Sequence, residues 1–328
     1  MSPLILVTGA TGFLGSSLCR RLALEGARVR ALVRSSADRG RLAGIPVEIA
    51  TGDLCEDASL AAACAGVDTV YHCAAAFRKE SLDKERFFAV NVEGGRSLVR
   101  AAAGAGCRLL VHMSTVGVHG TITHPPVGED APIAPEDHYQ ESKAEGEALV
   151  REEALEAGVP LVVVRPVGIY GPGDTRFLKL FRQVKKGLFP GIGSGRTLYH
   201  LTYIDDLVEG ILLCGKVADA RGQTFILGGP EIVTVRSFVE IVAATLGVKP
   251  PRLRLPVLPM KILSAVVEDV CRAVGVEPPL YRRRLDFFLK DRAFDIGKAR
   301  RMLGYEPRID VREGVRRTVE HYREEGLV

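Results

Sequence analysis

Short apolar segments alternate with helical segments along the first half of the chain, and this alternation limits its fold more than any other feature. Strands are predicted at residues 4–8, 28–34, 47–50, 69–73, 108–113 and 161–165, and helices at residues 13–25, 58–65 and 90–105. Strands that are apolar throughout and separated by helices are typical of a parallel sheet covered on both faces. The sequence therefore predicts an α/β fold with a doubly wound parallel sheet.

A glycine-rich loop, Thr8-Gly9-Ala10-Thr11-Gly12-Phe13-Leu14-Gly15, lies between the first predicted strand and the first predicted helix. Glycines there permit a tight turn and let the backbone approach a pyrophosphate, whose charge is stabilised by the N-terminus of the following helix. This order of strand, loop and helix favours a Rossmann-type dinucleotide site over a turn without a ligand. The residues predicted to bind the cofactor here are Gly9, Thr11, Gly12, Phe13, Leu14 and Gly15.

The regular alternation ends near residue 170. Glycines and prolines are frequent afterwards, as in Gly171-Pro172-Gly173, and short strands are mixed with helices. We therefore expect two unequal parts. Residues 1–170 form an NAD(P)-binding Rossmann domain, and residues 171–328 form a smaller C-terminal substrate-binding lobe that is interleaved with the edge of the sheet.

Further motifs follow the G-x-x-G-x-x-G loop along nearly the whole chain. They are Gly52-Asp53-Leu54, His72-Cys73-Ala74-Ala75, Asn91-Val92-Glu93-Gly94, Tyr139-Gln140-Glu141-Ser142-Lys143, Tyr170-Gly171-Pro172-Gly173, Tyr203-Ile204-Asp205-Asp206 and Leu303-Gly304-Tyr305. Together with the loop, they resemble the extended branch of the short-chain dehydrogenase/reductase superfamily, which holds the NAD-dependent epimerases and dehydratases. The resemblance implies an enzyme that uses a nicotinamide cofactor, and it implies a homodimer.

The end of the second predicted strand indicates which cofactor is used. An acidic residue at this place selects NAD, whereas an arginine suits the 2′-phosphate of NADP. Here the strand ends in Arg34 and Ser35, with no carboxylate before Asp38. NADP(H) is therefore preferred, and the alternative is NAD(H) with Arg34 as a solvated side chain. The resemblance assigns further cofactor contacts to Asp53, Leu54, Ala74, Ala75, Ala76, Pro166, Val167 and Ile169.

Tyr139 and Lys143 are four residues apart, so a helix places them on one face. A lysine cation beside a phenol favours the phenolate, which lets the tyrosine exchange a proton near neutral pH. The resemblance places Thr115 at the catalytic Ser/Thr position of the family, with Ser114 as the alternative. It also implies that Tyr139 is the acid/base and that Lys143 binds the nicotinamide ribose.

The motifs also limit the reaction. Val116-Gly117 stands where dehydratases of this branch carry an acidic pair, and the segment after Arg165-Pro166 lacks the asparagine of sugar-nucleotide epimerases. The chain more closely resembles the 3β-hydroxysteroid dehydrogenase and dihydroflavonol reductase branch in Arg165-Pro166, in the strand end Leu32-Val33-Arg34 and in Asp174 after the Gly-Pro-Gly turn. The expected reaction is hydride exchange with a secondary alcohol or ketone of a bulky, steroid-like or phenolic substrate. Two alternatives are an NDP-sugar 4-epimerase with tightly bound NAD and a non-catalytic NADP-binding sensor or scaffold.

Substrate contacts are predicted at Phe77, Ser114, Arg176 and Tyr203. Residues 281–288 are a candidate for part of the pocket wall, although the run Arg282-Arg283-Arg284 is expected to form a solvated face.

Composition excludes several other classes of protein. A net charge of +4 over 328 residues is too small to predict a nucleic-acid partner, and no apolar run predicts a membrane span. The seven cysteines have no zinc-ligand spacing, so no metal is expected and the thiols are expected to be reduced. The first strand begins too early for a preceding signal peptide. The prediction is a cytoplasmic enzyme with a small-molecule substrate.

Overall fold

The computed structural model of the protein describes residues 3–77, 84–273, 276 and 282–328. Tyr281, and the side chains of the predicted basic run Arg282-Arg283-Arg284, lie outside what it describes. Among these residues, no helix combines the length and apolar character needed to cross a membrane.

The first six strands lie close to their predicted positions, and further strands follow within the described residues. The strands are β1 (Leu4–Thr8), β2 (Arg28–Val33), β3 (Glu48–Thr51), β4 (Thr69–His72), β5 (Leu109–Met113), β6 (Leu161–Pro166), β7 (Gly168–Tyr170), β8 (Gly191–Ile192), β9 (Leu198–Tyr203), β10 (Thr224–Leu227), β11 (Ile232–Thr234) and β12 (Arg254–Leu255). In the described part of the chain, seven of them form one parallel sheet in the order β10-β6-β5-β4-β1-β2-β3. This is the doubly wound order of a Rossmann-type fold, extended by β10.

Helices connect most strands of the first half of the chain, and the last four of the described helices come after β12. The helices are α1 (Phe13–Leu24), α2 (Asp57–Cys64), α3 (Lys84–Phe88), α4 (Gly94–Gly104), α5 (His138–Glu156), α6 (Leu178–Lys185), α7 (Ile204–Lys216), α8 (Val235–Leu246), α9 (Val257–Ala273), α10 (Arg282–Leu289), α11 (Gly297–Leu303) and α12 (Val311–Glu324). Two apolar clusters cover the sheet. One is built from buried residues such as Leu60, Leu98 and Val150 of α2, α4 and α5, and the other includes Leu18 and Leu207 of α1 and α7.

The helix predicted at residues 90–105 has a different beginning. Residues Ala89–Glu93 form a π-helical turn, and α4 follows it directly. The buried side chain of Asn91 lies in this turn and bonds to Ala76 and to Ser142 of α5. A π-turn widens the helix locally and changes the direction of its side chains. Here the Asn91 side chain connects the loop after β4 to α5.

The second half of the chain forms smaller sheets and returns once to the main one. Strands β7, β9 and β11 form a three-stranded sheet, β8 pairs with β12, and β10 pairs with β6. The order of strands in the main sheet reverses between β1 and β4. Ligands of open α/β sheets bind at such a point, beyond the carboxyl ends of the strands.

Candidate active site

The glycine-rich loop after β1 packs directly against the loop after β4. Gly9 has a φ of +66°, and a Cβ placed on it would lie 2.7 Å from the backbone nitrogen of Ala74. A Cβ on Gly15 would lie 2.2 Å from the carbonyl oxygen of Gly9. Side chains are therefore excluded where the first turn of α1 faces the loop. Because Gly12 precedes α1, the first N–H groups of the helix receive no side-chain cap and are available to an anion such as pyrophosphate.

A buried threonine and histidine join the ends of β1 and β4. Thr8 Oγ1 accepts a hydrogen bond from the N–H of Ala74 at 3.1 Å, and it lies 2.8 Å from Nδ1 of His72. Since the threonine oxygen already accepts a bond, its own proton can be donated to the imidazole. Burial, with a smaller contribution from the charge of Lys143, lowers the pKa of His72 to about 3. The histidine is therefore neutral and acts as a structural acceptor.

The tyrosine and lysine of the Tyr-x-x-x-Lys motif lie in the first two turns of α5. Asp137 caps this helix by accepting a hydrogen bond from the N–H of Gln140 at 2.9 Å. The Tyr139 ring packs edge-on against the rings of Phe77 and Phe87, with centroids 5.0 and 6.3 Å away. These contacts orient the phenol.

The ammonium group of Lys143 is buried. Its Nζ donates a hydrogen bond to the carbonyl oxygen of Met113 at 2.7 Å, at the end of β5. Burial lowers the pKa of Lys143 to about 8, and the nearby carboxylate of Glu147 partly opposes this effect. A lysine in this state can lose its proton within the working range of an enzyme.

Thr115 follows β5 directly. Its Oγ1 accepts a hydrogen bond from the N–H of Gly117 at 3.0 Å, which caps the short 3₁₀ helix Val116–His119. Because the backbone N–H occupies a lone pair of the threonine oxygen, the hydroxyl proton is left to be donated to another oxygen. The neighbouring Ser114 is buried.

An ion pair that the sequence did not indicate lies behind this set. Glu147, one turn beyond Lys143 on α5, forms two hydrogen bonds with the guanidinium of Arg165, at 2.6 and 3.0 Å. Both side chains are buried, and Arg165 also reaches Nε2 of His119 at 3.2 Å. Burial alone would raise the pKa of Glu147, but the bonds to Arg165 hold it at about 2. The pair ties α5 to β6.

These elements enclose a cavity of about 650 Å³ that begins at the glycine-rich loop. A volume of this size accommodates a ligand of ordinary small-molecule dimensions. The sequence-predicted site residues that line it are Gly9, Gly12, Phe13, Leu14, Gly15, Ala75, Phe77, Ser114, Thr115, Tyr139, Lys143, Pro166, Val167, Ile169 and Arg176. The proposed catalytic groups thus share one space with the loop that fits a dinucleotide.

Other predicted site residues do not line this cavity. Arg34 and Ser35 are exposed at the end of β2, and Asp53 and Leu54 follow β3. Thr11, Ala74 and Ala76 belong to the loops after β1 and β4. Tyr203 is buried, with its ring against Tyr170 and beneath the guanidinium of Arg317, so its contacts are those of a packing residue.

The far wall of the cavity is mostly aromatic and comes from the second half of the chain. It contains residues that the sequence did not single out: Phe177, Leu180, Phe189, Tyr199, His200, Lys290, Arg292 and Phe294. Phe287, which lies in the segment 281–288 considered as a pocket wall, lines it as well. No periodicity marks these residues, because they meet only when β9, α6 and α10 pack together. Within the described residues, no group of three or more His, Cys, Asp or Glu side chains could hold a metal ion.

Comparison with known proteins agrees with this fold. The sequence model of the NAD dependent epimerase/dehydratase family matches residues 5–228, which is more than half of the chain. The 4-hydroxy-2-methyl-3-oxo-4-farnesyl-3,4-dihydroquinoline-1-oxide ketoreductase of Stigmatella aurantiaca is 30% identical, covering 94% of this chain and 93% of that protein.

Two further relatives have similar coverage. The 2-alkyl-3-oxoalkanoate reductase of Stenotrophomonas maltophilia is 29% identical, covering 95% of this chain and 97% of that protein. The sterol-4-alpha-carboxylate 3-dehydrogenase, decarboxylating, of Mus musculus is 28% identical, covering 96% of this chain and 90% of that protein.

Solved structures share the whole fold. The crystal structure of gox2253 has a TM-score of 0.86 and 32% sequence identity, and each chain is covered completely. The UDP-glucuronic acid 4-epimerase of Bacillus cereus, solved in complex with NAD, has a TM-score of 0.79 and 22% identity over 98% of this chain and 99% of that one. The chain is therefore an enzyme of the NAD-dependent epimerase/dehydratase family, within the short-chain dehydrogenases/reductases.

Proposed function

We propose that this enzyme is an NADP-preferring oxidoreductase that exchanges a hydride with a secondary alcohol or ketone of a bulky, largely apolar substrate, steroid-like or phenolic. One observation carries the proposal. Thr115, Tyr139 and Lys143 line the same cavity as the glycine-rich loop, and the wall contributed by the second half of the chain contains five aromatic rings. Such a wall suits an apolar skeleton better than a sugar.

The three side chains have distinct roles in this proposal. Thr115 donates its hydroxyl proton to the substrate oxygen, because its own oxygen already accepts the N–H of Gly117. Tyr139 gives a proton to that oxygen in reduction and takes it in oxidation. Lys143 holds the nicotinamide ribose and favours the phenolate of Tyr139. When bound, the nicotinamide supplies or accepts the hydride.

Arg34 and Ser35 support the preference for NADP(H). They are exposed at the end of β2, where the phosphorylated ribose of NADP would lie by the rule for dinucleotide folds. The planar guanidinium of Arg34 has N–H donors placed to form two hydrogen bonds with one phosphate. Asp38, the first carboxylate after the strand, accepts a hydrogen bond from the N–H of Gly40 at 2.8 Å. Its side chain is thus used within its own turn.

An NDP-sugar substrate would need cations for its diphosphate, and Arg176, Arg196 and Arg236 are candidates from the sequence that give this alternative less support. Arg176 lines the cavity, but it pairs with Asp174 at 2.7 Å. Arg236 pairs with Glu240 at 2.7 Å, and Arg196 is not among the residues lining the cavity. A 4-epimerase with bound NAD is therefore the second candidate, and the fold shared with the Bacillus cereus epimerase is what favours it.

A test begins with the cofactor. The purified protein is denatured without oxygen, released nucleotides are identified by mass spectrometry, and the folded protein is titrated with NADPH and NADH. We expect no retained NAD and selective uptake of NADPH, followed by turnover of one or more members of a panel of hydrophobic ketones. Tightly retained NAD would instead support the epimerase. Tight NADPH binding without turnover of any alcohol, ketone or NDP-sugar would support a sensor or scaffold.

Location and assembly are further parts of this proposal. The seven cysteines are free thiols, and Cys19, Cys64, Cys107 and Cys214 are buried, which supports a reducing, cytoplasmic location. A homodimer through α4 and α5 is expected from the family resemblance. These helices pack side by side, and Leu155 near the end of α5 is 83% exposed. Light scattering of the purified protein measures the mass of the assembly.

A further inference from the structure

Arg292 lies in an extended segment after α10 that forms part of the cavity wall. Its N–H donates to the carbonyl oxygen of Leu198 at 2.8 Å, and its own carbonyl oxygen accepts from the N–H of His200 at 2.7 Å. Side chains alternate in direction along extended backbone. Arg292 and Phe294 both line the cavity, whereas Ala293 between them is fully buried elsewhere in the core. The backbone therefore sets the arginine side chain toward the cavity.

The guanidinium of Arg292 differs from exposed Arg176 and half-buried Lys290, which also line the cavity. Arg176 pairs with Asp174 at 2.7 Å, and Lys290 pairs with Glu136 at 2.7 Å. Arg292 is half-buried as well. Across the parts of the chain that the structure describes, its side chain has neither a hydrogen bond nor an ion pair. Its five N–H donors therefore have no acceptor among the residues that the structure describes.

The surroundings of Arg292 increase the need for such an acceptor. The lining of the same cavity includes the aromatic rings of Tyr199, Phe287 and Phe294, and Tyr199 is the β-bridge partner of Arg292. The adjacent carboxylate, Asp291, is used elsewhere, because its Oδ1 accepts from the N–H of Leu198 at 2.7 Å. A partly buried cation is stabilised by a hydrogen-bonded anionic partner. A planar guanidinium matches a carboxylate with two parallel hydrogen bonds.

We propose that Arg292 binds a carboxylate of the substrate, so that the substrate is a bulky apolar alcohol or ketone that also carries a carboxylic acid. This inference rests on the proposed function for the identity of the reacting group. The aromatic wall holds the skeleton, Thr115 and Tyr139 face the reacting oxygen, and Arg292 selects the anion. Arg292 is thus a specificity-determining residue of the substrate lobe.

The binding test needs no turnover. The NADPH-loaded protein is titrated calorimetrically with octanoate and with octanamide, which has the same shape but no charge. We expect octanoate to bind more tightly. Arg292→Met should weaken octanoate binding about 10- to 100-fold and leave octanamide binding unchanged, as expected for loss of a charged hydrogen-bonded contact. Arg292→Lys should retain part of the selectivity, because it keeps the charge without the fork.

Lys179→Met is the matched control, because Lys179 is an exposed cation on α6 at the same cavity. Its removal should leave the ratio of octanoate to octanamide affinity nearly unchanged. Equal binding of the two probes by the wild-type protein would overturn the proposal. An equal loss of both probes in Arg292→Met would also overturn it, since that result indicates a structural role.

Turnover separates this inference from the proposed function. Racemic 3-hydroxydecanoate and its methyl ester are oxidised with NADP⁺, the hydride leaving C3 and the hydroxyl proton passing to Tyr139. We expect a higher kcat/KM for the acid, and Arg292→Met should lower that value at least about 10-fold while the ester changes little. Turnover of the ester with no preference for the acid contradicts the role of Arg292 alone. Selective octanoate binding without turnover of any alcohol or ketone contradicts the oxidoreductase proposal alone.

Discussion

The buried ammonium of Lys143 donates a hydrogen bond to the carbonyl oxygen of Met113, 2.7 Å away and thirty residues earlier in the chain. This bond attaches the first turns of α5 to the end of β5, and Thr115 lies two residues beyond that end. The bond therefore fixes the position of the Tyr-x-x-x-Lys face relative to the candidate catalytic hydroxyl of Thr115. The ion pair between Glu147 and Arg165 likewise connects α5 to β6.

The first prediction concerns the phenol. Tyr139→Phe keeps the ring that Phe77 and Phe87 contact, and it removes only the hydroxyl. We expect kcat to fall about 10²- to 10⁴-fold, the usual range for loss of a general acid/base, while NADPH affinity stays nearly unchanged. Steady-state kinetics and fluorescence titration with NADPH measure the two quantities. Full activity of the variant would remove Tyr139 from the mechanism.

The second prediction distinguishes the two adjacent hydroxyls after β5. Thr115→Val removes the proposed donor to the substrate oxygen, and kcat should fall about 10²-fold, as for the loss of one donor to a reacting oxygen. Thr115→Ser keeps the hydroxyl and should remain close to the wild type. Ser114→Ala should have a small effect. The reverse ranking of the Thr115→Val and Ser114→Ala variants would make Ser114 the principal hydroxyl.

The third prediction concerns cofactor choice. Arg34→Asp should weaken NADPH binding about 10- to 100-fold through loss of a charged contact with the 2′-phosphate, and it should affect NADH much less. Arg28→Asp is the matched control, because Arg28 is also exposed and lies at the opposite end of β2. Both variants are compared by equilibrium titration. If Arg34→Asp weakens NADPH and NADH equally, Arg34 does not contact the 2′-phosphate.

The fourth prediction concerns the buried ion pair. Glu147→Gln leaves Arg165 buried without its partner, which should lower the free energy of unfolding by about 3–5 kcal/mol. Glu152→Gln on the exposed side of α5 should change it little. Because the pKa of Glu147 is about 2 and its ordinary value is 4.5, the wild type has the full contribution above pH 4.5. Denaturant unfolding should show the difference between wild type and variant shrinking as the pH falls from 4.5 toward 2.

The same variant should change the pH dependence of catalysis. Burial lowers the pKa of Lys143 to about 8, and the charge of Glu147 limits that decrease. Without the carboxylate, the pKa of Lys143 should fall further. The decline of kcat/KM at alkaline pH should therefore begin at a lower pH in Glu147→Gln than in the wild type or in Glu152→Gln. If the decline of kcat/KM at alkaline pH begins at the same pH in all three proteins, Lys143 does not control that decline.

Much of the main sheet could be predicted from local sequence. The strand predicted at residues 4–8 is observed as Leu4–Thr8, and that predicted at 28–34 is observed as Arg28–Val33. Apolar runs between glycines are sufficient evidence for buried parallel strands. Local sequence did not indicate the π-turn at Ala89–Glu93. Asn91 in this turn bonds to Ser142, which is 51 residues away, and a contact at that distance leaves no local pattern.

The parts of the site that lie close together along the chain follow from local sequence alone. These are the glycine-rich loop between β1 and α1, and the spacing that places Tyr139 and Lys143 on one face of a helix. The packing of distant elements brings Glu147 to Arg165, gathers five aromatic rings in the far wall, and leaves Arg292 at the cavity with no acceptor among the described residues. Local spacing controls backbone hydrogen bonds and helix faces, whereas desolvation and pairing of buried charges depend on which distant elements pack together.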